Sequence, residues 1–144
     1  MLNSTVADNF AANVPGISVA YENGPAIFSL KNSIVANGTP NFGTVNANAQ
    51  IVSLGHNLAS DGGGGFLVGT GDLTNTNPRL ATLGNYGGTT QTRYPKPGSP
   101  ALDAGDSGAP TTDQRGVARP QGTHVDIGAV ESDGILIFQD GFDG

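Results

Sequence analysis

At 144 residues, with a net charge of −6 and charged side chains at only 12% of the composition, the chain suits one domain with its own core. Its six basic residues are scattered singly, which offers no stripe for a nucleic-acid backbone or an anionic membrane surface, and no apolar run approaches the roughly 18 residues of a membrane span. Cysteine is absent, which excludes thiol catalysis, disulfides and thiolate metal sites, while 23 glycines and nine prolines favour short strands and frequent turns over long helices.

In chain order, Asn3-Ser4-Thr5-Val6-Ala7-Asp8 is the first β-prone block, and Asn32-Ser33-Ile34-Val35-Ala36-Asn37 matches it position by position 29 residues later. Between them Gly16-Ile17-Ser18-Val19-Ala20 and Ala26-Ile27-Phe28-Ser29-Leu30 nearly alternate, separated by the turn Glu22-Asn23-Gly24-Pro25. His56-Asn57-Leu58-Ala59-Ser60-Asp61 echoes the first two blocks about one period further on. Strand, turn and strand recurring every 25 to 29 residues, with Asn near one corner, predict an all-β fold. The favoured architecture is a short right-handed parallel β-helix, a solenoid, with Asn side chains stacked at a bend. An antiparallel sandwich or jelly roll shares the short strands but not the repeat.

From Asp61 the period fades. Gly62 to Gly65 lack the Lys and Ser/Thr of a phosphate-binding loop and are predicted as a flexible turn. The expected organisation is a single domain over residues 1–144: coils to about 73, an irregular cap over about 74–134, and a C-terminal strand or sorting-like tail over 135–144 that contains Ile135-Leu136-Ile137-Phe138.

Several clusters bear on chemistry. Gly105-Asp106-Ser107-Gly108 resembles a serine-protease nucleophile motif, but only His56 lies upstream, and 144 residues cannot supply the two barrels that carry such a triad. His124 and Asp126 are two apart, so on a strand both would share a face; with Asp103, Asp106, Asp113 or Glu131 they would form an oxygen-rich set suited to Ca²⁺. Set against that reading, Asp113 with Arg115 and Arg119 with Glu131 are expected as ion pairs that pin cap loops, with Asp126 as a further structural cap residue. Asp61 and Asp72 are weaker candidate metal ligands. Tyr86 and Tyr94, with Arg93 and Lys96 nearby, suit either a saccharide platform or packing over the last coil.

The blocks NSIVAN, SLGHNLASDG, GDLTNTNPRLATLGNYGGTTQTRYPKPGSPALDAGD, TDQRGVARPQGTHVDIGAVE and IFQDGFDG together resemble the C-terminal end of bacterial right-handed parallel β-helix surface proteins, the pectate-lyase-like group of choice-of-anchor Q type. The resemblance covers roughly residues 30–144. It implies an extracellular or cell-surface protein of a bacterium, with an export signal upstream of this chain. Members carry more coils before these blocks, so an uncapped first coil is expected to self-associate through its edge.

Three functions are compatible with the sequence. The first is a structural or binding module, with polysaccharide as partner and no cofactor. The second is a small metal-assisted or acid/base hydrolase or lyase acting on glycans or esters, with His124, Asp126, Asp103 and Asp106 as its suspects. The third is a calcium-dependent sugar-binding module. The acidic residues fall mostly after residue 100, away from the successive strands that carry chemistry in pectate-lyase-like enzymes, and no strand shows the carboxylate and basic pattern a lyase needs.

Overall fold

A computed structural model describes residues 1–9, 16–38 and 40–133. Among these residues the regular structure is all β, with no α-helix. Seven short strands are β1 (Thr5–Ala7), β2 (Ile17–Val19), β3 (Ala26–Leu30), β4 (Ile34–Ala36), β5 (Phe42–Thr44), β6 (Ala49–Ser53) and β7 (Leu58–Ala59), followed by a 3₁₀ turn at Gly63–Gly65. They form three small parallel sheets ordered β1-β4-β7, β2-β5 and β3-β6. The sequence repeat sets the register: Thr5 faces Ile34, Ile34 faces Leu58, and a further parallel bridge joins Leu58 to Leu73. This parallel pairing is not that of an antiparallel sandwich or jelly roll, the alternative that the repeat disfavours.

Side-chain parity explains why the β1-β4-β7 sheet takes apolar residues at consecutive positions. Val35 and Ala59 point into the larger core with Leu30, Phe42, Ile51 and Leu67. Ile34 and Leu58 point the other way, into a second core with Ala101 and Ile127. A strand covered on both faces reads as a continuous apolar run, whereas a strand with one wet face alternates. In β3, accordingly, Ile27 is 62% exposed and Leu30 fully buried. The C-terminal half therefore lies along the outer face of the three-stranded sheet, across successive strands.

Two ladders hold the corner before these strands. Two residues ahead of the facing positions Thr5, Ile34, Leu58 and Leu73 stand Asn3, Asn32, His56 and Gly71, with φ of +41°, +48°, +53° and +72°. This left-handed region is tolerated by Asn and Gly and disfavoured for most other residues. Gly71 has a second constraint, because a Cβ there would lie 2.7 Å from the His56 ring. One residue on, each side chain accepts the backbone N–H of the preceding tier: Ser33 Oγ from Ser4 at 3.2 Å, Asn57 Oδ1 from Ser33 at 3.1 Å, and Asp72 Oδ1 from Asn57 at 2.8 Å. The turning backbone keeps its hydrogen bonds where no strand ladder supplies them.

Residues 77–133 contain no strand, only isolated antiparallel bridges at Leu80–Pro95, Gly84–Thr92 and Thr112–Ala118. The run Ile135 to Phe138 lies outside the described residues. The glycine run predicted as a flexible turn forms the 3₁₀ turn, with positive φ at Gly63, Gly64 and Gly65.

Candidate functional site

The stretch from Asp113 to Glu131 folds around two buried arginines. Arg119, with a side chain 1% exposed, donates to Glu131 Oε2 at 2.8 Å and to the carbonyls of Asp126 and Gly128 at 3.1 and 2.9 Å. Arg115 donates from Nε to Asp113 Oδ2 at 2.9 Å and from its two Nη groups to the carbonyls of Tyr86 and Glu131. Both ion pairs are those the sequence pairs. The irregular backbone has few strand partners, so its N–H groups take carboxylate oxygens instead. Asp113 accepts from the amides of Arg115, Val117 and Glu131; Glu131 accepts from those of Gln121 and Asp126; Asp126 accepts from those of Asp103 and Ser132.

The same bookkeeping applies to the suspected catalytic set. Asp103 Oδ1 accepts the His124 amide at 2.9 Å, and the close packing of its carboxylate against Gly122 leaves no room for a Cβ there. Thus Asp103, His124 and Asp126 do come together, but through main-chain amides. Asp106 stands apart: its amide donates to Asn32 Oδ1, its carbonyl accepts from Asn32 Nδ2, and its carboxylate pairs with Lys31 Nζ at 2.9 Å. Asn32 and Lys31, which composition does not single out, fasten the 105–108 turn to the sheet corner.

Burial and charge shift several of these groups. Burial pushes Asp126 up to about 6, against the pull of the Asp103 and Ser132 amides and with help from the neighbouring Glu131 and Asp103 carboxylates. For Asp113, burial pushes upward but is outweighed by the amides of Glu131 and Val117 and by Arg115, so its carboxyl lies below the usual range. The hydrogen bond from Lys31 holds the exposed Asp106 carboxyl down at about 2. Burial raises the Tyr94 hydroxyl.

A pH dependence follows. Asp126 titrates near 6 in the folded chain against 3.8 as its ordinary value, so the folded state holds the proton more tightly. Its contribution to stability is complete below pH 3.8 and is lost as pH rises through 6. The Asp106 contribution runs oppositely, present above pH 3.8 and lost as pH falls toward 2, and the lowered Asp113 carboxyl acts in the same direction. Melting temperature is expected to rise by about 4 °C from pH 7 to pH 5 and to fall below pH 4. In Asp126→Asn the rise should vanish. Thermal melts followed by circular dichroism across this range check it.

The remaining candidates are also engaged. Asp61 accepts from the Asn41 amide and side chain and from the Gly63 amide, and Asp72 from Asn57, Ser53 Oγ and the Gly69 amide. Among the described residues no three His, Asp or Glu side chains converge as a metal-binding group. Tyr94 is 4% exposed, packs against Tyr86 with ring centres 5.7 Å apart and planes tilted by 43°, and lies 5.2 Å under the Arg115 guanidinium, so its ring packs inside and presents no platform. Arg93 pairs with Asp8 and donates to the Ala81 carbonyl.

Beside a cleft of about 400 Å³ lined by Thr5, Thr112, Asp113, Gln114 and Arg119 among others, two more lie near the candidate residues. One, of about 430 Å³, is lined by Asp8, Asn37, Ser60, Asn75, Asn77 and Arg93 among others. The other, of about 300 Å³, lies between the 105–111 and 119–125 segments and gathers Asp106, Ser107, Thr111, Arg119, Thr123 and His124. Asp103 and Asp126, the other two suspects, do not line it. No family model, characterised protein or solved structure matches this chain. Functional assignment therefore starts from the geometry of the cleft and of the buried network beside it.

Proposed function

We propose that the chain is a structural and binding module displayed outside a bacterial cell, built as a short right-handed parallel β-helix whose C-terminal half fastens along one sheet. The observation that carries this reading is the use of the carboxylates. Asp103, Asp113, Asp126 and Glu131 are hydrogen-bond acceptors for backbone amides, and a carboxylate held that way braces a loop and is not free to shuttle protons at an open site. Support for the β-helix comes from three parallel sheets built by strands that return in sequence order, since parallel crossovers in one sheet are right-handed in nearly all folds. The surface location rests on the sequence blocks that resemble β-helix surface proteins.

The ligand class in this reading is a neutral, hydroxyl-rich chain such as a polysaccharide, taken in the His124 cleft, whose lining offers the hydroxyls of Ser107, Thr111 and Thr123. Calorimetric titration with a panel of soluble polysaccharides tests it. Binding that Thr123→Val and His124→Ala weaken together supports the assignment; uniform absence of binding across the panel removes it. A second reading, hydrolysis of glycans or esters, draws on His124, Ser107 and Asp106 lining one cleft. It requires product formation in the same incubations. Because no carboxylate cluster faces that cleft, calcium and EDTA are each expected to shift the melting temperature by less than about 1 °C, measured by differential scanning fluorimetry.

A further inference from the structure

The chain holds two Asn-Gly pairs, Asn23-Gly24 and Asn37-Gly38, and the fold sets them in opposite surroundings. Strand register explains the first. Val19 faces Thr44 and Ala26 faces Ala49, so residues 20–25 cross the corner that residues 45–48 cross in the next tier. The longer crossing has a surplus with no counterpart to stack on, and it loops outward at Glu22, Asn23, Gly24 and Pro25, all exposed. Asn46 of the facing turn fastens the corner ahead of this excursion, through Tyr21 O at 2.7 Å.

In that excursion both reacting groups of an amide rearrangement are free. Among the described residues the Asn23 carboxamide and the Gly24 N–H make no hydrogen bond, and nothing beyond the chain neighbours lies within 4 Å of where a Gly24 Cβ would stand. Glycine also leaves the approach of its own nitrogen to the preceding side chain uncrowded. At Asn37-Gly38 the carboxamide is held at both ends. Asn37 Oδ1 accepts the Asn9 amide and Asn9 Nδ2, each at 3.0 Å, and its buried Nδ2 packs so closely on Gly16 that a Cβ there would not fit. Its backbone is held as well, by the bond from Asn37 N to Asn41 Oδ1 at 2.8 Å. A reacting atom kept about 1 Å out of place slows such a step by about 100-fold.

We propose that Asn23-Gly24 is a self-modifying site, at which the exposed turn converts a neutral carboxamide to a carboxylate while the fold keeps Asn37-Gly38 intact. The Gly24 nitrogen passes its proton to water and bonds to Asn23 Cγ; the Cγ–Nδ2 bond breaks and ammonia leaves, which closes a five-membered succinimide. Water then adds to one of the two ring carbonyls, and the C–N bond at that carbon opens. The product is aspartate, or isoaspartate with the main chain running through the side-chain carboxyl carbon. Either way one amide and one water become a carboxylate and ammonium. The new carboxylate stands beside Glu22 and adds one negative charge to the chain's −6. The extra main-chain methylene of isoaspartate falls within the surplus of the turn, so the strand registers on either side are kept.

Peptide mapping by mass spectrometry tests this on the full chain aged in mildly alkaline buffer, beside a sample aged in urea. In the folded chain Asn23 should convert at least about tenfold faster than Asn37, with both product forms present and the melting temperature unchanged, whereas in urea the two should convert at similar rates. Gly24→Ala, which meets open space and no left-handed φ, should melt with the parent and slow conversion of Asn23 at least about tenfold. Equal rates for Asn23 and Asn37 in the folded chain overturn the proposal. So does a difference that persists in urea, which would trace it to the neighbouring sequence, and so does conversion that Gly24→Ala leaves unchanged, which would make it direct hydrolysis of the side chain.

Discussion

Glu131→Ala is expected to lower the melting temperature by roughly 10–15 °C, or to prevent folding at 37 °C. Glu131 is fully buried and receives Arg119, the Gln121 amide and the Asp126 amide on its two carboxylate oxygens. Truncation leaves a guanidinium that is 1% exposed without its counter-ion, and removing one partner of a buried pair costs about 3–5 kcal/mol. For a domain of this size each kcal/mol corresponds to about 3 °C. Arg119→Lys should recover little of the loss in the converse experiment, since an ammonium cannot reach Asp126 O, Gly128 O and Glu131 Oε2 together in the planar arrangement the guanidinium uses. Urea unfolding of each variant gives the cost directly. A Glu131→Ala protein that melts within 3 °C of the parent would mean that the network is ornamental.

The second large effect is expected at Asn57. Its Nδ2 lies within hydrogen-bond distance of the carbonyls of Leu30 and Gly55, of Ser53 Oγ and of Asp72 Oδ1, while its Oδ1 accepts the Ser33 amide. Asn57 is fully buried between tiers, so Asn57→Ala strands a donor and several acceptors away from bulk water. Each stranded group costs about 1–3 kcal/mol, and a water entering the vacated space recovers part of that. The expected loss is about 3 kcal/mol, read as a fall in urea midpoint with the slope unchanged. Asn3→Ala, at the first tier with only two long bonds of 3.4 Å, one to the Asp126 carbonyl and one from Asn32 Nδ2, should cost about 1 kcal/mol. The contrast between the two separates an internal ladder from a general taste for asparagine.

The repeat was the most legible feature, and the physics explains its legibility. The match of Asn3–Asp8 with Asn32–Asn37 and His56–Asp61 reproduces the register of Thr5 on Ile34 and Ile34 on Leu58, because facing positions in stacked parallel strands meet the same neighbours. The ion pairs Asp113–Arg115 and Arg119–Glu131 were legible for a related reason: charge is scarce in this chain, so opposite charges in one irregular stretch have few other partners. A second ladder one residue on was not legible, but the expected asparagine stack is there at Asn3 and Asn32, whose side chains meet at 3.4 Å. Those positions are asparagine for their left-handed φ, and the tier-to-tier acceptors are Ser33, Asn57 and Asp72, whose differing identities hide the repeat.

Long-range geometry was not legible. Nothing local says that Ala101 and Ile127 lie over Ile34 and Leu58, because residues 77–133 have no strand and hence no period to read. Tyr94 beside Arg93 and Tyr86 has the composition of a saccharide platform, and only its partners, Tyr86, Arg115 and Asp133, show that it faces inward. The His124 cleft depends on two loops, 105–111 and 119–125, that meet without any strand pairing to announce it. His124 was singled out for its spacing from Asp126, but the two share an acceptor network and not a site.

The most direct test of a braced module against an active site is one set of proteins, the parent chain, Asp126→Ala and His124→Ala, each melted and each incubated with polysaccharides and activated esters, with and without EDTA. The expected result is that Asp126→Ala melts about 6 °C lower, having lost the acceptor for the Asp103 and Ser132 amides, that His124→Ala melts with the parent, and that none forms product. Product formed by the parent and lost in a variant that melts normally would contradict it and make the 103–131 region an active site.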